Sequence, residues 1–381
     1  MRILHIQKVK ALVGSEKYFL KLIPELEKNR VKTHFVCIIN EPDRDKAQLF
    51  LDAYKNTGHS ISFKIFKSDK SIFSILKFIK QELKFFAPDI VHSHLIHADF
   101  WMSLIKRRGN FNGPIISTKH GYDEDYISRY GFDASYIKPN LYYRLAKFSE
   151  KYIRSSYAVS HGLRKLFVDA KISDPERISV IHHGFDLPNL DEKKYQPIRK
   201  SSNQILVVGR IIPFKGHKHL IRAMPVILES IPDAHLTILG HGDEDLIHYL
   251  TTFCQEKKIS EQVSFEGYKT NVYDYFLGSD VMVVPSIAEG FGLIFLEALN
   301  AKLPIVGFDV PATNEIIEHN VNGLLTEPYD ENELAKNIVH LLSQKEMAVE
   351  MGIKGHQFLK EKFSLKRMTS ETIECYLKVL S

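Results

Sequence analysis

Cysteine is scarce in this sequence: Cys37, Cys254 and Cys375 are the three in 381 residues. They lie far apart and match neither a disulfide framework nor a metal-ligand spacing, so reduced thiols in a cytosolic protein are expected. Long apolar runs are also missing. No stretch approaches the roughly 18 residues that a membrane-spanning helix needs. The opening "MRILHIQKV" lacks the apolar core of a secretion signal and reads as a first β-strand. Low-complexity tracts are absent, and 44% hydrophobic with 25% charged residues is the composition of a globular chain, not a disordered one. This length exceeds what one hydrophobic core usually serves and suits about two domains. No RNA- or DNA-binding motif accompanies the net charge of +5, so nucleic acid is not an expected partner.

The charge that is present is unevenly placed. Residues 1–190 hold about 31 Lys and Arg against about 20 Asp and Glu, roughly +11, which leaves the remainder at roughly −6. A split of this size points to two domains with different partners, the basic one facing something anionic. Part of the lysine decorates "SIFSILKFIKQELKFF" (71–86), where apolar residues recur at helical spacing. Such a segment either packs on its own sheet with a solvated lysine face or meets an anionic membrane surface or acceptor.

Short apolar runs alternate with amphipathic segments along the chain: "RILHI", "EKYFLKLIPELEK", "THFVCII", then "DIVHSH" and "PIISTKH". This rhythm predicts a doubly wound parallel sheet. A polar stretch at 191–203 reads as a linker, after which the rhythm restarts with "ILVVG", "AHLTILG", "QVSFEG", "DVMVVP", "LPIVGF" and "NGLLTE". The expected organisation is therefore a Rossmann-like domain over 1–190, a second over 204–363, and a final helix, 364–381, that could pack on either. Ligands of this architecture bind at the carboxyl ends of the strands, so a cleft between the domains is expected.

The second domain carries the chemistry. "ILVVGRIIPFKG" runs from a strand into a glycine, with Arg210 directly after it and Lys215 five residues on. Such a pair suits a diphosphate, Arg by forked hydrogen bonds and Lys as a point charge. "MVVPSIAEGFGLIFLEALNA" reads as a strand, a glycine loop and an almost wholly apolar helix. A glycine loop that feeds a buried helix offers backbone N–H groups and a positive dipole end to an anion. Glu289 and Glu297 stand out, because a buried carboxylate without a partner costs several kcal/mol. Glu297 is expected about two turns inside the helix, roughly 12 Å from Glu289 at ~1.5 Å per residue. Carboxylates accept hydrogen bonds from hydroxyls, so the pair fits the two polyol ends of a nucleotide sugar whose diphosphate lies between them.

These residues resemble a known family. "EGFGLIFLE" is similar to the Glu-x7-Glu motif of the retaining glycosyltransferases of family 4 (glycosyl transferases group 1). "GRIIPFKG", "SFEGY" and "NGLLTEP" follow in that family's order over essentially the whole chain. The resemblance implies the GT-B fold, two Rossmann-like domains facing across a cleft, with the acceptor on the first and a nucleotide-sugar donor on the second. It implies that Arg210 and Lys215 bind the donor diphosphate, Glu289 the sugar hydroxyls and Glu297 the ribose. Gly290, Phe291, Gly292 and Leu293 would lie beside the phosphates and sugar, and Tyr268 beside the base. In the first domain, "LVGSEKYF" departs from a Gly-Gly-x-Glu-like start, leaving Gly14 as the single glycine at the diphosphate. "STKHG" is similar to the family's strand-end His-Gly, which implies that His120 reaches the transferred sugar. "VIHHGFD" stands where Pro-Asn-Gly-Val-Asp is usual, so His182 and His183 are departures without an assigned role.

Metal chemistry has its own signatures. "DRD" at 43–45 and "DED" at 123–125 and 243–245 are Asp-x-Asp matches, and "HSHLIH" holds three histidines without an identifiable carboxylate. In the family that the chain resembles, Arg, Lys and helix amides neutralise the diphosphate, so neither a metal nor a cofactor is expected. The reaction that follows is transfer of a sugar, with retention, from a UDP- or GDP-sugar to a hydroxyl of a glycan or lipid-linked acceptor. It would take place in the cytoplasm or on the inner face of its membrane. A non-catalytic nucleotide-sugar-binding partner and a nucleotide-sugar 2-epimerase are the alternatives.

Overall fold

The computed structural model describes residues 1–12, 14–122, 127–128, 131–137, 139–188, 190 and 194–381. The Asp-x-Asp match at 123–125 and residues 191–193 of the expected linker lie outside the described residues. The chain forms two units. One comprises Met1–Tyr126, Asp133–Asp186 and Ser364–Ser381, the other Ile127–Phe132 and Leu187–Phe363.

The strands, in chain order, are β1 (Arg2–Lys8), β2 (Lys32–Asn40), β3 (Ile61–Phe66), β4 (Ile90–His94), β5 (Ile115–Lys119), β6 (Ile127–Ser128), β7 (Gly131–Phe132), β8 (Ser155–Ala158) and β9 (Ile178–Val180). The second run is β10 (Asn203–Val208), β11 (Ala234–Leu239), β12 (Val263–Gly267), β13 (Val281–Val284), β14 (Ile305–Phe308) and β15 (Gly323–Thr326). The first unit's sheet runs β3-β2-β1-β4-β5-β8-β9 and the second's β12-β11-β10-β13-β14-β15. Every pairing within these two sheets is parallel. A parallel sheet covered on both faces has no polar side, which is why β2 reads "KTHFVCIIN" and is buried after its first residue. The doubly wound architecture expected from the alternating rhythm is present in both units.

In each sheet the order of strands reverses once, between β1 and β4 and between β10 and β13. Loops that leave adjacent strands at such a point diverge to opposite faces and open a crevice for ligands. The motifs "GRIIPFKG" and "PSIAEGFG" leave β10 and β13, so both sit at the second sheet's reversal. The first unit is held by aromatic packing. Phe19 stacks on Phe35 with ring centres 4.3 Å apart, and Phe50 and Tyr54 join them in the core. Helix Leu365–Leu380 belongs to this unit. Ser364 caps it by accepting from the Arg367 amide at 3.2 Å, and Tyr376 is fully buried against the sheet. Among the described residues no helix is long and apolar enough to cross a membrane.

Candidate functional site

The second unit's site starts where β10 ends. The Ile211 amide donates to the His241 carbonyl at 2.9 Å, and the Asp243 amide donates back to Ile211 at 2.8 Å, so the loops after β10 and β11 are laced together. A tight turn, Pro213–Lys215, then leads into helix His217–Ser230 through Gly216. Gly216 has φ of 72°, and a Cβ there would come within 1.7 Å of the Pro285 carbonyl oxygen. Only glycine lets this turn lie against the loop after β13. The Ile287 amide closes the contact by donating to Phe214 at 2.8 Å.

This docking brings Lys215 and Glu289 together: Nζ lies 2.5 Å from Oε1. Glu289 is only 6% exposed, so the lysine is the partner that makes its burial tolerable. The two side chains expected at neighbouring parts of one donor, phosphate and sugar, thus hold each other in place. Gly292, at φ 85°, turns the chain into helix Leu293–Asn300, which has no side-chain cap. No side chain takes up the amides of its first turn, so its positive dipole end is a candidate anion site. Phe291, buried, packs edge-on against Phe363 at 5.6 Å and fixes the loop between Gly290 and Gly292.

The helix begins at Leu293, which corrects the position expected for Glu297. It lies about one turn inside, a rise of roughly 6 Å, because the four residues from Glu289 to Gly292 belong to the loop. Its charge is felt at Tyr273, whose phenol is pushed upward by burial first and by Glu297 next. Arg210 is exposed at the end of β10. Tyr268 is 65% exposed; its amide donates to His241 Nε2 at 3.3 Å, and its ring lies nearly parallel to the His241 ring, 6.1 Å away. Such a pair makes a flat platform suited to a planar ring. His241 was not anticipated; its place in the glycine turn "LGHGDED" was the available signal. His217, also unanticipated, is buried behind Lys215 and pushed down to about 4 by burial and by that lysine. Asp243, in the third Asp-x-Asp match, caps helix Glu244–Glu256 by accepting from the Leu246 amide at 3.1 Å.

In the first unit Gly14 opens helix Gly14–Lys28, and an added Cβ there would meet nothing within 4 Å. Glu16 is buried and accepts from Gln7 and from Ser15, both at 2.8 Å, which anchors this helix to β1. His120 follows β5 directly. The preceding residue, Lys119, is buried and donates to Asp99 at 2.8 Å, with Glu150 at 2.6 Å. Burial works against its charge, yet Asp99 and then Glu150 hold its pKa above the ordinary value. Sequence reading missed this trio because its members are spread over 52 positions. It pins the strand end that presents His120. His183 stacks on His120 with ring centres 5.5 Å apart, whereas His182 contributes its carbonyl as acceptor for Arg367 at 3.0 Å.

Comparison with known proteins adds sequence-wide support. Residues 13–188 match the family model Glycosyltransferase Family 4, and residues 189–358 match Glycosyl transferases group 1. An uncharacterised glycosyltransferase of Methanocaldococcus jannaschii is 31% identical over 231 residues, 57% of this chain; the match spans little more than half, 58%, of that relative's length. The UDP-Gal:alpha-D-GlcNAc-diphosphoundecaprenol alpha-1,3-galactosyltransferase of Escherichia coli is 23% identical over 91% of this chain and 89% of its own. Among solved structures, HepE of Anabaena in complex with UDP superposes with a TM-score of 0.79 at 17% identity, covering 99% of this chain and all of that one. That likeness is one of fold.

Proposed function

Since this chain belongs to the glycosyltransferases of the family 4, group 1 type, we propose that it moves a sugar, with retention, from a nucleoside-diphosphate sugar to a hydroxyl of a lipid-linked or surface glycan. The observation that carries this is the Lys215–Glu289 pair at the reversal point of the second sheet, beside the uncapped helix that starts at Leu293. Lys215, Arg210 and the helix amides meet the donor diphosphate and take up the negative charge that grows on it as the glycosidic bond breaks. Glu289 accepts from hydroxyls of the transferred sugar, and Glu297 from the ribose. Tyr268 and His241 flank the base, and His120 faces the sugar from the first unit's motif. The leaving diphosphate accepts the acceptor's proton in a front-face substitution, and neither metal nor cofactor takes part.

A UDP donor is favoured by the donor named for the Escherichia coli relative and by the nucleotide bound to HepE. A stabilisation screen tests this: a UDP-sugar at about 100 times its dissociation constant should add about 2.7 kcal/mol. UDP-, GDP- and ADP-sugars are compared side by side; equal melting temperatures across the panel would remove the donor assignment.

A membrane surface is the proposed setting. Helix Ile72–Phe86 turns Phe73 (80% exposed), Lys77, Lys80 and Lys84 along one outer stripe, flanked by Phe85 (75% exposed), while Glu82 turns aside to His34 at 3.1 Å. Two aromatic wedges among lysines match an anionic lipid surface. Each lysine there contributes about 1 kcal/mol, so replacing all three by Gln should weaken binding to vesicles of one-third anionic lipid by about 100-fold. Unchanged flotation of that variant would remove the membrane role.

A further inference from the structure

The carboxyl end of the first sheet holds a polar cluster that the proposed reaction does not yet use. Lys8 ends β1 with its side chain only 6% exposed, and its ammonium donates to Asp69 Oδ2 at 2.5 Å. Asn40, buried at the end of β2, donates to the other carboxylate oxygen at 3.1 Å. Asp69 itself lies in the loop after β3 and stays 44% exposed. His97, 37% exposed, brings Nε2 to 3.7 Å from Asp69 Oδ2. The imidazole comes from the first turn of helix Leu95–Arg107, which follows β4 without an intervening loop. That turn is made at Leu95 with φ of 66°, a left-handed conformation that is costly for a bulky residue and clusters at ligand sites. The cluster thus stands over the ends of β1 and β4, where the strand order of this sheet reverses.

The two solvent-reachable groups have settled charges. Burial works against the charge of Asp69, yet hydrogen bonds from Lys8 and Asn40 hold its pKa below the ordinary value. His97 is pushed down to about 4 by burial first and by Lys8 next, against the pull of Asp69. At neutral pH the pair is therefore a carboxylate, which only accepts hydrogen bonds, beside a neutral imidazole with one N–H and one lone pair. Lys8 and Asn40 fix the carboxylate but occupy only two of its roughly four lone-pair sites. The charges of Lys8 and Asp69 cancel, so the pair has no net charge with which to hold a phosphate. A cation would have to sit beside the lysine ammonium. Neighbouring hydroxyls suit both groups, since each hydroxyl donates one hydrogen bond and accepts others.

We propose that Asp69 and His97 form a subsite for the acceptor glycan, holding neighbouring hydroxyls of one neutral sugar, with Lys8 and Asn40 as positioning residues. This rests on the reading of the first unit as the acceptor-binding one, with His120 beside the transferred sugar. Lys8 ends β1 and His120 follows β5, two strand spacings away in the sheet, or roughly 10 Å. That is farther than one pyranose ring reaches. The sugar held by Asp69 and His97 is therefore the one preceding the sugar that accepts.

Nitrogen NMR of the full chain, labelled with 15N in histidine at pH 7.5, reads the site without turnover. The probes are the methyl glycosides of glucose, galactose, mannose and N-acetylglucosamine, and inorganic pyrophosphate. The His97 signals, assigned by their loss in His97→Gln, should move with at least one glycoside and stay in place with pyrophosphate. Movement with pyrophosphate would mark an anion site, and no movement with any glycoside would remove the subsite; either overturns the proposal. In activity, polyprenyl-diphosphate-linked acceptors carrying one sugar and two sugars are compared. Wild type should have an acceptor KM about tenfold lower for the longer one, the worth of one hydrogen bond, with the donor KM the same for both. His97 is the residue to substitute, because Asp69 also neutralises the buried Lys8. His97→Ala should erase the preference, and His97→Gln, which keeps a donor and an acceptor, should retain most of it. A preference that survives in His97→Ala, or is missing from wild type, would contradict the proposal. Absence of transfer to either acceptor would count against the proposed reaction and leave the NMR result standing.

Discussion

Lys215→Ala and Glu289→Ala are each expected to lower sugar transfer by about 100-fold or more, while both proteins melt as cooperative, folded chains. The size follows from the charge that each handles. A preorganised cation at a developing anion is typically worth about 100- to 1000-fold in rate, and Lys215 is held for that task by Glu289 at 2.5 Å. Removing the lysine also leaves the Glu289 carboxylate buried without its partner, so the variant loses phosphate contact and orientation of the sugar together. The converse change frees Lys215 to swing from its position above the loop. Glu289→Gln separates the two effects: it still accepts from hydroxyls but no longer neutralises Lys215. Its activity should fall between those of the wild type and Glu289→Ala. The measurement is kcat/KM for each variant with saturating acceptor, and the coupling between the two sites comes from the Lys215→Ala/Glu289→Ala double variant. Near-additive losses would mean that the ion pair has no part in catalysis.

The second large effect is collapse of the first unit in mild acid. His5, His92, His94, His120 and His183 are all held neutral, with burial the leading cause in each. Their folded pKa values lie below the unfolded value of 6.5, so the unfolded chain binds more protons as pH falls. The stability that neutrality supplies is therefore complete above pH 6.5 and is lost below it, toward the lowered folded values, about 3 for His5 and His120. Each histidine contributes about 1.4 kcal/mol per pH unit in that window, and five together about 7 kcal/mol per unit. A domain stabilised by less than about 10 kcal/mol, within the usual range, would exhaust its stability by about pH 5. Trp101, the single tryptophan, is buried in this unit and reports its unfolding by fluorescence. A steep transition between about pH 6 and 5 is expected; a unit still folded at pH 4 would show that the rings accept protons in place.

What could be read from the sequence follows from what is local. β2 and β10 announce themselves as apolar runs because both faces of a parallel sheet are covered, and the glycines at 216 and 292 stand where the backbone must turn left-handed. The Glu289 loop and its helix were legible for the same reason, although the boundary at Leu293 was not, since "LIFLEALNA" carries no capping side chain to mark it. The cluster of buried imidazoles was out of reach. His5 and His94 come from two strands whose register places them side by side, His120 follows a third strand, and Tyr376 arrives from the end of the chain. Nothing local marks Lys119 as buried, since its charge is matched by Asp99 and Glu150 from two separate helices.

The most direct measurement follows labelled sugar from a UDP-sugar into a polyprenyl-diphosphate-linked glycan, with wild type and Glu289→Ala side by side and with donor alone as a third arm. Wild type should form a glycosylated lipid with the donor's anomeric configuration kept, Glu289→Ala should form almost none, and donor alone should persist. Consumption of donor without acceptor, or normal transfer by Glu289→Ala, would contradict a donor site built on the Lys215–Glu289 pair.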